Sequence, residues 1–388
     1  MLTSKKDRNQ EILQNLRAIL NRRGLSQRDF AQMLGKKESE VSRWFSGKFC
    51  ISKTTQIKIE DILQEPIAID SSYKPINCII RIGIIGSGNI AERFVAEMLH
   101  VKYGEVNAAF DINKDKLDRF CLKYNIEHKC NSLQELLAEC DAVYIASPMN
   151  THAEYAQICL DNKKHVLCEM PFTSSKEESK DLYQAAKTND CILLPALKTV
   201  SCPSFIQMNE IARSGIIGDI IDISATVTTL LPEDTPTYFY NERLLENATY
   251  PLIAIFKLFG TNYRKSHIFS KKEGEKIIFA NGLLEYKETT ASFKVGVGVK
   301  SEGNLVISGT KGYIYVPAPW WKMDYFEVRF ENQNDNKKYF FPYESSGLRY
   351  EIQVFVDCIK KRSLNKDVVT QEENLKITEV QNKIFNTK

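Results

Sequence analysis

Residues 86 to 91 read GSGNIA, and 25 positions after the first of these glycines stands Asp111. This interval suits a dinucleotide. Gly86 permits a tight turn, Gly88 lets the main chain approach a pyrophosphate, and Ala91 lets the following helix pack close to its strand. Ser87, Asn89 and Ile90 complete the loop and the helix start. Asp111 closes the run VNAAF and is suited to hydrogen-bond an adenosine ribose diol, which favours NAD over NADP. Asn113 and Lys114 follow closely and keep NADP possible, and Asp111 could also cap the helix that starts NKDKLDRF.

Hydrophobic patterning supplies the elements that must hold these residues. CIIRIGIIG is a buried strand and NIAERFVAEML a helix, the context that gives a glycine motif its meaning. SLQELLAEC, DAVYIASP, HAEYAQICLDN and HVLCEMP continue as helix, strand, helix and strand. Strict alternation predicts a doubly wound parallel sheet, the Rossmann arrangement. Ligands bind such sheets beyond the C-terminal strand ends, so Ser147, Pro148, Asn150, His152, Glu169 and Met170 are expected to ring the cofactor cleft. His152, at a helix start, could instead be structural.

The 388 residues are enough for two or three domains, and 43% hydrophobic with 26% charged residues excludes global disorder. MLTSKKDRNQ lacks the apolar core of a signal peptide, and no window reaches the roughly 18 apolar residues of a membrane span. A cytoplasmic location and no membrane partner are expected. Ten cysteines without a CxxC pair read as reduced, mostly buried thiols, and the five histidines show no metal spacing, so no metal is expected. Positive charge is concentrated at the start. Residues 1–65 hold thirteen Lys/Arg against eight Asp/Glu, and the rest hold thirty-nine against forty-one. A small nucleic-acid-binding unit requires such a bias.

That N-terminal stretch reads as four short helices. Ile12, Leu13, Leu16, Ile19 and Leu20 form one stripe and Gly24 ends it. Ser26 caps a second helix with Phe30, Ala31 and Leu34 inward and Gly35 at its stop. Val41, Trp44 and Phe45 face the core from a third, and Ile57, Ile59, Ile62 and Leu63 from a fourth. LSQRDFAQMLGKKESEVSRWFSGK resembles the lambda repressor/Cro-like (XRE) helix-turn-helix family over about 55 residues. The resemblance implies double-stranded DNA as partner, with Glu38, Ser39 and Arg43 as base readers and Gln27, Lys36, Lys37 and Lys48 near the phosphates. A monomer with few phosphate contacts binds weakly, so two half-sites and a dimer are expected.

From about residue 79 onward, over about 300 residues, the chain resembles the glucose-fructose oxidoreductase/inositol dehydrogenase (Gfo/Idh/MocA) family. The resemblance rests on IGIIGSGNIA, DAVYIASPMNTHAEYA, KKHVLCEMPF, LLENATYPL and ISGTKGYIYVPAPWW, and is nearest to the dihydrodiol or sugar dehydrogenase-like subgroup. It implies NAD(P)-dependent hydride transfer at a hydroxyl-bearing carbon of a sugar, cyclitol or diol. Such chemistry needs an acid/base and a cation beside the alkoxide. The family's cation is the lysine of Glu-Lys-Pro, which here reads Glu169, Met170, Pro171. The acid/base motif reads Glu246, Asn247, Ala248, Thr249, Tyr250, with Tyr250 retained in kind. Lys198 could be a relocated cation or an ordinary surface or ion-paired lysine.

The fold expected is therefore multidomain, α and α/β. A four-helix helix-turn-helix spans 1–65, a linker 66–78 and a Rossmann domain 79–200. A substrate and oligomerisation domain, α+β with an open mostly antiparallel sheet, spans 201–388. Runs such as IIDISATVTT and TTASFKVGVGV make residues 205–345 strand-rich, and the family pairs subunits through the open face, as a homodimer or homotetramer. Trp320 and Trp321 could line a sugar-like pocket or belong to core or interface. Two readings compete: a regulator whose dehydrogenase-like module senses NAD(H) and a sugar- or diol-like ligand with lost or altered catalysis, or an active dehydrogenase. Met170, Glu246 and Ala248 favour the first.

Overall fold

The computed structural model describes residues 12–17, 19–20, 25–46, 51, 55, 58–59, 62–63, 79–232, 235–342 and 345–386. The chain forms two compact units, Met1–Asn77 and Cys78–Lys388. In the first, residues 12–17 and 19–20 are helical, α1 spans Gln27–Met33 and α2 spans Glu38–Phe45. Ser26 caps α1: its hydroxyl accepts from the Asp29 N–H at 3.2 Å while Asp29 accepts from the Ser26 N–H at 3.0 Å. This reciprocal box satisfies two amides that a helix start leaves free. Gly35 follows α1 at φ +65°, a conformation costly to a residue with a Cβ. Phe30, Ala31, Val41, Trp44 and Phe45 join Leu16, Ile59 and Leu63 in one core, with Leu34 partly buried against it. Gly24, Lys48, Ile57, the linker 66–78, Cys50 and Cys78 lie outside the described residues.

The second unit begins with β1 (Ile80–Ile85), α3 (Asn89–Met98), β2 (Gly104–Phe110), α4 (Lys114–Tyr124), β3 (His128–Lys129) and α5 (Leu133–Ala138). β4 (Ala142–Ile145), α6 (His152–Asp161), β5 (His165–Glu169), α7 (Lys176–Thr188) and β6 (Leu193–Ala196) complete the alternation. The strands pair in parallel in the order β3-β2-β1-β4-β5-β6. Helices on both faces explain why β4 is buried throughout and β1 is buried at every position but Arg81, rather than alternating. The order reverses between β1 and β4, which opens a crevice beyond their C-terminal ends.

α8 (Pro203–Arg213) leads into β7 (Ile220–Thr229) and α9 (Thr237–Phe259). β8 (Lys265–Glu273), β9 (Lys276–Glu285), β10 (Thr290–Val297), β11 (Leu305–Gly309), β12 (Tyr313–Val316), β13 (Tyr325–Arg329) and β14 (Lys337–Phe340) follow. They form an eight-stranded sheet, β14-β13-β12-β11-β7-β10-β9-β8, antiparallel except where β7 meets β10. The 23-residue α9 covers one face, its Leu244, Ala248, Leu252 and Phe256 packing with Val227, Phe293 and Val295. Strand-rich patterning gave little sign of so long a helix. Its six consecutive buried residues Pro251–Phe256 hide the helical period, as happens when a helix is enclosed. α10 (Leu348–Lys361) lies against α3 and the turn Lys198–Ser201, and α11 (Gln371–Asn386) against α7 and α9.

The eight described cysteines are free thiols and all but Cys191 are buried. Among the described residues no helix is long and apolar enough to cross a membrane, and no cluster of His, Cys, Asp or Glu is placed to hold a metal ion.

Candidate functional site

The glycine loop is built at the C-terminal end of β1. Gly86 has φ +94°, and a Cβ there would lie 2.7 Å from the Ala146 carbonyl oxygen. Gly88 stands at the N-cap of α3 with open space about it and without a side-chain cap. The first amides of α3 thus have no capping side chain, an arrangement suited to an anionic group. Ser87 donates to Asp111 Oδ2 from both its N–H (2.8 Å) and its hydroxyl (2.7 Å), and the Asn113 N–H donates to Oδ1 at 2.8 Å. The cap of α4 is Asn113, which accepts from the Lys116 N–H, so Asp111 is free of that duty. It braces the glycine loop from the tip of β2. These residues fit a dinucleotide: Gly86, Ser87, Gly88, Asn89 and Ile90 would hold its pyrophosphate, and Asp111 its ribose.

Ser147, Pro148 and Asn150 lie past the end of β4, where Met149–Thr151 make one turn. Thr151 donates to the Ser147 hydroxyl at 2.8 Å and to the Pro148 carbonyl at 2.7 Å. His152, buried at the first position of α6, sets Nδ1 2.9 Å from the Pro171 carbonyl and Nε2 2.8 Å from the Ser147 carbonyl. Burial holds its pKa below the ordinary value. The ring thereby ties the segments after β4 and β5 together and acts on the cleft through them.

Ile90 leads from the cradle into a cavity of about 290 Å³. Glu169, Met170, Lys198, Glu246 and Tyr250, scattered over 82 positions of sequence, all line it. Glu169 ends β5; the Tyr144 hydroxyl donates to its Oε1, and the Met170 N–H to its Oε2 at 3.2 Å. Burial, with Glu246 adding, pushes Glu169 up to about 7. α9 brings Glu246 and Tyr250 to the cavity one turn apart. Glu246 accepts from Arg243 at 2.6 Å, yet burial raises its pKa. Tyr250 lies 6.0 Å from the Trp321 ring and is driven well above the ordinary phenol range by burial, then by Glu246 and Glu169. Asn247, between them, donates to the Gly296 carbonyl at 3.0 Å and to the Thr229 hydroxyl at 3.1 Å, which fixes this turn of α9 on the sheet.

Cations enter from elsewhere. The Lys198 ammonium, on the cavity wall, donates to the Ser346 carbonyl at 2.6 Å. Lys322 is pushed down by burial, with Lys198 and Arg93 adding. The two tryptophans divide: Trp320 is fully buried and donates to the Thr226 carbonyl at 3.0 Å, whereas Trp321 faces the cavity. Sequence reasoning missed Tyr144, Arg243, Lys322 and Glu351. Only Glu351 carried a signal, as a carboxyl on the apolar stripe of LRYEIQVFVDCIKK.

In the N-terminal unit, Gln27, Lys37, Glu38, Ser39 and Arg43 are exposed on α1, α2 and their junction. Lys36 is half-buried, 3.4 Å from Glu40 and over the Trp44 ring at 5.7 Å.

Comparison with known proteins places two domains on the chain. Residues 16–69 match a helix-turn-helix family model, and residues 80–197 match that of the oxidoreductase family with an NAD-binding Rossmann fold. The scyllo-inositol 2-dehydrogenase (NADP(+)) of Bacillus subtilis is 37% identical over 133 residues, 34% of this chain and 40% of that protein. The chain thus spans well under half the length of that relative. A dTDP-3,4-didehydro-2,6-dideoxy-alpha-D-glucose 3-reductase of Actinomadura kijaniata is 25% identical over 248 residues, 61% of this chain and 74% of its own. A 3-ketoreductase from the same organism, solved with NADP and TDP-benzene, superposes with a TM-score of 0.69 at 20% identity, covering 79% of this chain and 96% of that one. The chain therefore carries a helix-turn-helix domain at residues 16–69, followed at 80–197 by an NAD-binding domain of the Gfo/Idh/MocA oxidoreductase family.

Proposed function

We propose that this protein is a DNA-binding transcription regulator whose oxidoreductase-like unit binds NAD(H) and a sugar- or diol-like ligand, with catalysis lost or altered. One observation carries the reading: Met170 stands where the resemblance calls for the lysine, and Tyr250 is held protonated by burial and then by the carboxyls about it. A phenol can serve as base near neutral pH only where positive charge pulls its pKa down, and here the dominant neighbours are acids. α2 would read base edges with Glu38, Ser39 and Arg43. Pairing through the outer face of the eight-stranded sheet, where Phe269 and Leu283 are exposed, would join two such units. Ligand in the cleft would then alter DNA affinity, provided it binds the two arrangements unequally.

A second reading is an oxidoreductase that works toward reduction. Reduced nicotinamide, held at the glycine loop, would supply the hydride for a carbonyl carbon. A Tyr250 hydroxyl kept protonated is then a competent donor to the carbonyl oxygen, recovering its proton from solvent, and Lys198 is a cation at the same cavity. The scyllo-inositol and deoxysugar activities named for the relatives make polyols and keto-sugars the ligands to try.

One experiment separates the readings. Full-length protein and Met170→Lys are titrated with NAD(H) and NADP(H), assayed in both directions against inositols, hexoses and their ketones, and tested on randomised duplex DNA with and without those ligands. The expected result is dinucleotide binding without turnover in the wild type, and a gain of about tenfold or more over background in Met170→Lys. Turnover by the wild type supports the enzyme. DNA retention that no dinucleotide or polyol changes removes the sensing role.

A further inference from the structure

Leu348 and Glu351 lie three residues apart on α10, hence on one helix face, and both line the cavity. The same face is otherwise core: Ile352, Phe355, Val356 and Ile359 are buried. Glu351 is 5% exposed, and its Oε2 has no hydrogen-bond partner among the described residues. A buried carboxyl oxygen without a partner destabilises a fold, and a well-packed apolar side chain of similar size would serve stability better. Folding alone therefore gives no account of Glu351.

The surroundings aim it. Glu97 of α3, 2% exposed, accepts from the Ser346 N–H and hydroxyl, both at 2.9 Å, and from Arg349 Nε at 2.5 Å. This clasp fixes the start of α10 to the helix that opens at the glycine loop. The carbonyl of the same Ser346 accepts the Lys198 ammonium at 2.6 Å. One short loop thus sets an acid and a cation on the same cavity.

We propose that Glu351 contacts the ligand in this cleft, its free oxygen taking a hydroxyl of a neutral polyhydroxy compound while Lys198 donates to a neighbouring oxygen. The inference rests on the reading that the cleft binds a sugar- or diol-like ligand. Burial, with Glu169 adding, keeps the Glu351 carboxyl protonated well above the usual range, so it can both donate and accept. A polyol offers both kinds of partner. Arg93, Lys198, Arg243 and Lys322 share the wall with Glu169, Glu246 and Glu351, so the lining presents donors and acceptors side by side.

Glu351→Leu and Glu351→Gln, in the full chain, test this. Thermal midpoints are measured without ligand, and NADH, scyllo-inositol, myo-inositol and glucose are titrated by calorimetry, the polyols with NADH present. The expected outcome for Glu351→Leu is a midpoint equal to or above wild type, unchanged NADH affinity, and about tenfold or greater loss of affinity for whichever polyol the wild type binds. Glu351→Gln, which keeps a donor and an acceptor, should lose less. A midpoint several degrees lower in Glu351→Leu makes the residue structural and overturns the assignment. Equal polyol binding by wild type and Glu351→Leu overturns it while leaving the ligand reading intact; a wild type that binds none of the three polyols overturns both.

Discussion

At the glycine loop the Asp111 carboxylate takes three donors from Ser87 and Asn113, while at the far end of the same cleft Glu351 keeps an oxygen unmatched and Glu169 is pushed up to about 7. The first region is complete within the chain. Its selectivity comes from shape: a loop that only a residue lacking a Cβ can make, beside a helix start without a capping side chain. The second is incomplete. Buried polar groups that the fold leaves unmatched are costly unless something else matches them; Tyr183, Asn209 and Asn374 also carry such atoms, but of the four residues Glu351 is the one that lines the cavity. The glycine-loop end holds the features that the proposed dinucleotide site needs, and at the other end Met170 stands where the resemblance calls for a lysine.

The largest expected effect breaks the first region. Gly86→Val places a branched side chain at φ +94° against the Ala146 carbonyl and should weaken NAD(H) binding roughly hundredfold, read by quenching of tryptophan fluorescence. Binding within threefold of wild type would mean the loop is not the cradle. Asp111→Ala comes next. It removes both the brace on Ser87 and the ribose acceptor, and should cost about tenfold for NAD(H) but less for NADP(H) in parallel titrations. Equal losses would leave Asp111 as a brace alone.

The smallest effect concerns the second region and is read as pH dependence. Glu169, with a native pKa of about 7 against an unfolded value of 4.5, holds a proton in the native state that the unfolded chain gives up. Stability contributed by that proton is present at low pH and is lost as pH rises from about 4.5 through about 7. Burial raises the Glu169 pKa most and Glu246 adds, while Tyr144, the Met170 N–H and Lys198 oppose. Glu169→Gln cannot titrate there. Its melting temperature should therefore gain on the wild type by on the order of a few degrees between pH 5 and pH 8. Parallel curves for the two proteins would show that Glu169 is ionised throughout.

Local pattern made much of this fold readable. The Ser26 cap, the stop at Gly35, and the alternation of strands and helices from Ile80 to Glu169 all depend on residues a few positions apart. The glycine loop was legible for the same reason. Contacts made at long range were not. Tyr144 reaches Glu169 across 25 positions, Lys198 finds Ser346 across 148, and Glu97 finds Arg349 across 252. Their signals were present only as anomalies: Glu97 among Phe94 and Met98, Glu351 among Leu348 and Ile352, each an acid on an apolar helix stripe. An acid so placed must find a partner somewhere, but pattern alone does not say which one.

The order of the eight-stranded sheet leaves β8 and β14 as its outermost strands, and both are rich in lysine: Lys265, Lys271 and Lys272 on one, Lys337 and Lys338 on the other. An outer strand presents unpaired main-chain groups to any extended segment that drifts near it. Clustered ammonium groups repel a second copy approaching edge to edge and hold water along the rim. Sideways growth into aggregates is thereby discouraged.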